Sequence, residues 1–307
     1  MFEFLFPYGR VDPASWAYVS SLLTIALYFK FNRVWSVRNL DLVLLVLLAP
    51  PLLLVWYGLQ RGETSMGEHV GYIWLFSISG LLMLRLLLDA SMVRRPLLEP
   101  NLSVGGLVFL GLTLLVFLAA KVITGTPGEH DLAGSQRAAE LSSFEASQAE
   151  LSSLRTHGPG FPLVYLLPQI STQQLLADSG DSATADEAGS PVVHNVTARV
   201  VAILAQVMIV LGVVLIGFRH FDSGKTGIAA ATLYLMLPYT ALWTGSVTHA
   251  LPGALLVWAV LAYRRPLLAG MLIGLAFGTI YYPLFLLPLW LSFYWRRGLY
   301  RFLTGML

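Results

Sequence analysis

The residues of this chain that can do chemistry are few, and most stand in short polar breaks between long apolar segments. A carboxylate there can act as a general base, and an imidazole or phenol can position a phosphate or a sugar hydroxyl. The catalytic candidates are Glu68, Glu63 and His249, and the substrate-binding candidates are Tyr239, Trp243, His69 and Tyr282. A plainer explanation stays open, because short loops need polar residues for solvation and Trp and Tyr at span ends form an interfacial belt.

Several chemistries lack their sequence signatures. The chain contains no G-x-x-x-x-G-K-[ST], no G-x-S-x-G and no H-E-x-x-H. It has no cysteine, which excludes thiolate metal sites, and its 6 histidines are scattered without a neighbouring acid at ligand spacing. The sequence therefore predicts neither a metal site nor a cofactor.

The composition is that of a membrane protein. Hydrophobic residues make up 56% of the chain and charged residues only 12%, whereas soluble proteins carry about 25% charged residues. The formal charge of +2 is small and no basic run exceeds two residues, so nucleic acid is not an expected partner. We expect membrane lipid to surround the protein. Partner proteins within the membrane stay an open alternative.

Eight apolar segments predict the fold. The first seven are long enough to cross a hydrocarbon core of about 30 Å as helices, and the eighth contains Pro283 and Pro288. The segments are 15–31, 40–59, 71–88, 104–123, 199–217, 226–243, 249–263 and 267–295. We therefore predict an all-α, polytopic integral membrane protein with about 7 transmembrane helices plus a broken helix or hairpin at the C-terminus.

Lysine and arginine predict the orientation, because cytoplasmic loops are enriched in both. Alternate turns carry Lys30, Arg33, Arg38, Arg94, Arg95, Arg219, Lys225, Arg264, Arg265, Arg296, Arg297 and Arg301. The opposite set of loops carries fewer cations over many more residues, namely Arg10, Arg61, Lys121, Arg137, Arg155 and Arg199. We predict a multi-pass protein of the cell inner (plasma) membrane with the N-terminus and the 124–198 loop outside.

Three segments follow from this pattern: a four-span bundle over 1–123, an extracytoplasmic Ser/Ala-rich loop over 124–198, and a membrane region over 199–307. The first part of the loop is compatible with a helix that places Leu141 and Phe144 on one face, and the acidic second part has a composition typical of disorder. The apolar stretch between them, GPGFPLVYLLPQI, is expected along the membrane surface.

Two further patterns have structural explanations. Gly270, Gly274 and Gly278 are spaced i, i+4, i+8, which is typical of a small-residue stripe that lets a helix approach closely. Asp41 and Asp89 stand at span ends on the basic side and are expected to pair with Arg38 and with Arg94 and Arg95, or to cap helices. Arg85, near a span end, is expected to extend towards the same side.

Residues 235–295 carry a series of motifs. A Pro-Tyr break precedes a histidine, a basic turn, a Gly-rich segment and a Tyr-Pro-x-x-x-Leu-Pro-Leu segment. These are Pro238-Tyr239, His249, Arg264-Arg265, Ala269-Gly270 with Gly274 and Ala276, and Tyr282-Pro283 with Leu287-Pro288-Leu289. The stretch resembles the C-type membrane glycosyltransferases, in particular the bacterial branch similar to polyprenol-phosphate-mannose-dependent mannosyltransferases. Thr279 and Ile280 stand where that branch usually has a basic residue.

The resemblance implies a polytopic helical enzyme that takes a sugar from a polyprenyl-phosphate donor at the outer face. It places an acidic base in an early outer loop, which here implies Glu63, Glu68 or Asp12. The alternative is a non-catalytic scaffold or complex subunit, which the low number of charged groups within the spans favours. A transporter is a third class, but transporters usually carry ionisable residues in mid-membrane.

Overall fold

The computed structural model describes residues 12–61, 66–92, 98–142, 157–166, 168–169 and 191–307, and across these residues the chain forms helices and no strand. The helices that precede the long loop or begin it are α1 (Pro13–Tyr28), α2 (Val37–Val46), α3 (Ala49–Arg61), α4 (Met66–Leu87), α5 (Val104–Thr124) and α6 (Glu129–Ser142). Those that follow it are α7 (Pro191–Phe221), α8 (Gly224–Met236), α9 (Pro238–Trp243), α10 (Val247–Leu261), α11 (Pro266–Thr279), α12 (Leu287–Tyr294) and α13 (Leu299–Met306).

The helix lengths confirm an all-α protein with membrane-type helices. Among the described residues, four stretches are long and apolar enough to cross a membrane: Val37–Gln60, Met66–Leu87, Val104–Thr124 and Pro191–Phe221. The apolar helices near the C-terminus are shorter, and the 15 residues of α10 extend only about 22 Å. The expected number of about 7 transmembrane helices therefore remains a prediction, while the multi-pass character is supported directly.

The predicted interruption of the last apolar segment is present. Helix α11 ends at Thr279, a 3-10 turn occupies Tyr282–Leu286, and α12 begins at Leu287. Pro283 lies inside the 3-10 turn, where it has no backbone N–H to donate to a continuing helix. The segment is thus a broken helix.

The described residues divide into two compact units. The first comprises the chain up to Leu114 together with Ile228–Leu242, and the second comprises Leu115–Gly227 together with Trp243–Leu307. This division groups residues by proximity, whereas the three segments 1–123, 124–198 and 199–307 describe membrane topology, so those segments remain a prediction.

In the first unit, Arg85 organises an ion-pair network. Its buried guanidinium lies 2.8 Å (Nε) from Asp41 Oδ1 and 2.6 Å (Nη1) from Asp89 Oδ1. The expected pairing of Asp41 with Arg38 is therefore wrong. Arg38 donates instead to the carbonyl oxygens of Tyr28, at the end of α1, and of Glu99, because a buried guanidinium can satisfy its donors with backbone carbonyl groups within reach.

In the second unit, parts of the long loop pack into the helical core. Phe161 and Tyr165 are buried with Val122, Ala202 and Val247. A Cβ atom on Gly134 of α6 would lie 2.6 Å from Phe161 and 2.7 Å from Tyr165, so the absent side chain lets both rings approach α6. The stretch that was expected along the membrane surface therefore contributes to the core of this unit.

Helix α6 confirms the helix expected in the first part of the loop, but with another inward face. Asp131, Ser135 and Ala138 are buried, whereas Leu141 is 41% exposed. Phe144, which was expected on the same face as Leu141, lies outside the described residues. The face of α6 that packs into the core of the second unit therefore carries small and polar side chains rather than large apolar ones.

Two of the three glycines in the α11 stripe, Gly270 and Gly274, pack as predicted. A Cβ atom on Gly270 would overlap the carbonyl oxygen of Phe302, and one on Gly274 would overlap the carbonyl oxygen of Met306. Both oxygens belong to the backbone of α13. The stripe therefore lets two helix backbones come into contact, which a side chain at either glycine would prevent.

Candidate functional site

The buried carboxylate of Asp131 meets the N-terminus of α10. The backbone N–H of Val247 donates to Asp131 Oδ2 over 3.3 Å, and the backbone of Thr248 also hydrogen-bonds to this carboxylate. Tyr165 Oη donates to Asp131 Oδ1 over 3.4 Å. Asp131 is 2% exposed. It acts as an N-cap supplied by another helix, because the first amides of α10 have no partner within their own helix.

Asp131 holds its position because of local sequence. Pro127 and Gly128 precede α6, and the Asp131 backbone N–H donates to the Gly128 carbonyl over 3.1 Å in the first turn. Burial raises the pKa of Asp131 to about 6, and the hydrogen bonds from α10 and Tyr165 and the charge of His130 only partly offset this. A carboxyl group with a pKa near neutrality is typical of sites that move or hold protons.

His249 and Trp243 lie on the same side of this capped helix end. Their ring centroids are 4.4 Å apart with a tilt of 35°. His249 follows Thr248 directly, so it occupies the first turn of α10 next to the amides that Asp131 accepts from. Ser246 Oγ and Thr248 Oγ1 are 2.7 Å apart. The structure thus brings together two predicted site residues and adds a carboxylate to them.

Three further histidines, His130, His157 and His194, contact one another or residues of α6 and the long loop. The rings of His130 and His157 are 5.2 Å apart, and His157 stacks on Phe161 at 4.5 Å. Burial lowers the pKa of His157, and the charges of His130 and Arg137 lower it further. Ser135 Oγ and His194 Nδ1 are 3.0 Å apart in the interior. In the described part of the chain, no group of three or more His, Cys, Asp or Glu side chains could hold a metal ion.

The loop also binds the end of α11. Gly158 N–H donates to the Thr279 carbonyl over 2.9 Å, and Gly160 N–H donates to the Gly278 carbonyl over 2.8 Å. A Cβ atom on Gly158 would overlap the Gly278 carbonyl, so this approach requires glycine. Tyr282 follows within one turn, and its side chain is exposed. The loop therefore satisfies carbonyl groups that end α11.

These contacts bear on the predicted orientation. The loop binds the start of α10 and the end of α11, whereas Arg264 and Arg265 lie between the other ends of the same two helices. Each helix is about 22 Å long. Within the second unit, these loop contacts and this basic turn therefore lie at opposite ends of the two helices, and the orientation in the membrane stays a prediction.

The remaining predicted residues lie in the first unit or beyond the described residues. Glu63 is outside the described residues. Glu68 is in the first turn of α4, and its Cβ would lie 2.7 Å from a Cβ placed on Gly58 of α3. His69 follows it and is exposed, and Tyr239 is an exposed residue of α9.

Sequence reasoning missed Asp131, Tyr165 and Ser135 as members of a buried cluster. Asp131 is 116 positions from Val247 along the chain, and it lies in a stretch whose composition is polar and of low hydropathy. One signal available in the sequence was the Pro127-Gly128 pair, which precedes small and polar residues spaced i, i+4, i+7, namely Asp131, Ser135 and Ala138.

Comparison with protein-family models, with curated proteins and with solved structures finds no match for this chain. The fold itself defines the class. Membrane-length apolar helices in an all-α chain, with polar residues gathered at helix ends, identify an integral, multi-pass membrane protein.

Proposed function

We propose that this membrane protein transfers a sugar from a polyprenyl-phosphate donor to an acceptor hydroxyl at the extracytoplasmic face. The observation that carries the proposal is the contact of the Asp131 carboxylate with the amides of Val247 and Thr248, immediately before His249. His249 belongs to the stretch that resembles C-type membrane glycosyltransferases. A carboxyl group, an imidazole and an indole therefore gather on one end of α10 in the part of the chain with that resemblance.

In the proposed reaction, the acceptor oxygen attacks the anomeric carbon of the donor sugar while the bond from that carbon to the phosphate oxygen breaks. Glu68 or Glu63 takes the hydroxyl proton as general base, and the polyprenyl phosphate leaves as an anion. His249 and Tyr239 hold the donor phosphate, because an imidazole and a phenol can both donate to phosphate oxygens. The Trp243 ring, tilted by 35° against that of His249, restricts the orientation of the imidazole.

Asp131 has a positioning role in this proposal. It is too buried to meet a substrate, but it fixes the first turn of α10 and hence the backbone of His249. Positioning of this kind matters because small displacements of a phosphate-binding group reduce transition-state stabilisation steeply.

Substitution of the predicted base tests the proposal. In membranes supplied with a polyprenyl-phosphate sugar, Glu68→Gln or Glu63→Gln is expected to lower glycolipid formation more than tenfold, and His249→Ala is expected to do the same. The matched controls are Glu140→Gln at the exposed end of α6 and His220→Ala at the end of α7. Unchanged products from all three site variants would remove the enzymatic function.

The second candidate is a non-catalytic scaffold or complex subunit. One observation favours it: the polar groups of the loop already have structural partners, since Ser135 bonds to His194, and Gly158 and Gly160 bond to α11. A scaffold is expected to give no sugar transfer from any donor and to retain a constant membrane partner after cross-linking, with the Glu68→Gln variant retaining it equally.

A further inference from the structure

Two double-arginine turns lie against each other in the second unit. Arg264 and Arg265 lie in the turn that joins α10 to α11, and Arg296 and Arg297 lie in the turn that joins α12 to α13. Gly298 has a φ of 107°, and a Cβ placed on it would lie 3.3 Å from Pro266 Cγ. Tyr294 Oη donates to the Tyr263 carbonyl over 2.6 Å. The two turns are therefore fixed side by side, which their separation in sequence does not reveal.

An aromatic pair connects two of the four arginines. The Arg264 guanidinium lies 5.6 Å from the centre of the Tyr263 ring, and the Arg297 guanidinium lies 5.5 Å from the centre of the Phe293 ring. The two rings are themselves 6.0 Å apart. Stacking on aromatic rings orients a guanidinium without cancelling its charge. Arg264 Nε also donates to Tyr263 Oη over 3.1 Å.

Within the part of the chain that the structure describes, no salt bridge balances the charge of these turns. Residues 223–307 contain no Asp and no Glu. Among the described residues, the salt bridges join Lys30 to Glu99 and Arg85 to Asp41 and Asp89, and none involves either turn. All four arginines are exposed. The nearest titratable side chain packed on the aromatic pair is His220, whose ring is 4.9 Å from Tyr263 and which can only be neutral or positive.

The flanking residues are typical of a membrane interface. Trp295 is 71% exposed and Tyr300 is 84% exposed, one on each side of the second turn. Aromatic residues of this kind favour the headgroup level of a bilayer, and the helices that lead into both turns are apolar. This composition favours a position of the turns at the level of lipid headgroups.

We propose that Arg264, Arg265, Arg296 and Arg297 form a double-arginine platform that binds the headgroup of an anionic phospholipid carrying two phosphate charges. Guanidinium groups pair with phosphate through two parallel N–H donors each, so four of them match two phosphates. A lone basic turn is explained by attraction to any anionic leaflet. Two fixed turns in contact favour a particular class of lipid. They present a charge density that a diphosphatidyl headgroup neutralises better than separate single-phosphate lipids. This proposal does not depend on the sugar-transfer reaction.

The test uses the full-length protein in phosphatidylcholine nanodiscs doped with cardiolipin, or with phosphatidylglycerol at equal total charge. Lipid retention is measured by native mass spectrometry. We expect cardiolipin to bind at least tenfold more tightly than phosphatidylglycerol, and Arg264→Gln with Arg297→Gln to abolish that preference. Arg264→Lys with Arg297→Lys keeps the charge and loses the paired donors, so it is expected to retain an intermediate preference.

The matched control is Arg33→Gln with Lys225→Gln, which removes the same charge from two other exposed cations. This control is expected to leave the cardiolipin preference unchanged. The proposal is overturned if the control loses as much preference as the platform variant, or if both lipids bind equally to the wild-type protein. It is also overturned if soluble pyrophosphate displaces cardiolipin at equal concentration, since the site would then recognise free phosphate rather than lipid.

Discussion

Replacing Gly270 with alanine is expected to destabilise the second unit by about 3 kcal/mol, because the new methyl group would overlap the backbone of α13. The overlapping atom is the carbonyl oxygen of Phe302, and a backbone atom cannot turn aside as a flexible side chain can. The two helices must therefore separate, which removes contacts of the buried Phe302 ring with Ile273 and Tyr294. Gly274→Ala is expected to act in the same direction through Met306.

The third glycine of the stripe supplies the control. A Cβ atom on Gly278 would have no other atom within 4 Å, and alanine is favoured over glycine in helices by about 1 kcal/mol. Gly278→Ala is therefore expected to be neutral or slightly stabilising. Unfolding midpoints of the purified variants in detergent measure the difference. Equal destabilisation by Gly270→Ala and Gly278→Ala would contradict close packing as the reason for the stripe.

This contrast indicates how far sequence reasoning reaches in this protein. The spacing of the three glycines is local, so a close helix contact could be predicted from it. The partner could not, because α13 has only eight residues and carries polar and basic side chains, and hydropathy therefore gives it no signal. Hydropathy identifies a helix only where an apolar segment is long enough to span a membrane. The long spans could therefore be predicted, and short amphipathic helices could not.

The candidate site divides in the same way. Trp243 and His249 are six positions apart, so a short turn brings them together, and their polarity marks them within an apolar stretch. Asp131 reaches the same helix end from the long loop, and only tertiary packing around Phe161 and Tyr165 determines that contact. Arg85 follows the same rule, since its pairing with Asp41 depends on how two spans pack rather than on either span alone.

Between pH 4 and pH 7, the wild-type protein is expected to lose about 3 kcal/mol of stability relative to the Asp131→Asn variant. The unfolded chain releases the Asp131 proton near its ordinary pKa of 3.8, whereas burial raises the folded pKa to about 6. In that interval the folded state holds a proton that the unfolded state has released, so raising the pH favours unfolding. The contribution of Asp131 to the free energy of unfolding is fully present below pH 4 and lost above pH 6. A difference of about two pKa units corresponds to about 3 kcal/mol.

The measurement is the unfolding midpoint of both proteins in detergent from pH 4 to pH 7.5. Near pH 4 the two are expected to agree, because a protonated carboxyl group and an amide make similar hydrogen bonds to the amides of α10. Asp222→Asn, which changes an exposed aspartate, is the control and should follow the wild type at every pH. A gap that is constant with pH, or that widens towards acid, would show that Asp131 is not the titrating group.

Two substitutions at this position separate a cap from a positioning residue. As a cap alone, asparagine at 131 would serve at least as well as aspartate at neutral pH, and sugar transfer would be unaffected. If Asp131 positions His249 for the donor phosphate, Asp131→Asn is expected to retain kcat, because its amide oxygen still accepts from the start of α10. Asp131→Ala removes that acceptor and is expected to lower kcat by displacing His249, whereas a cap that serves stability alone would lower the unfolding midpoint and leave kcat unchanged.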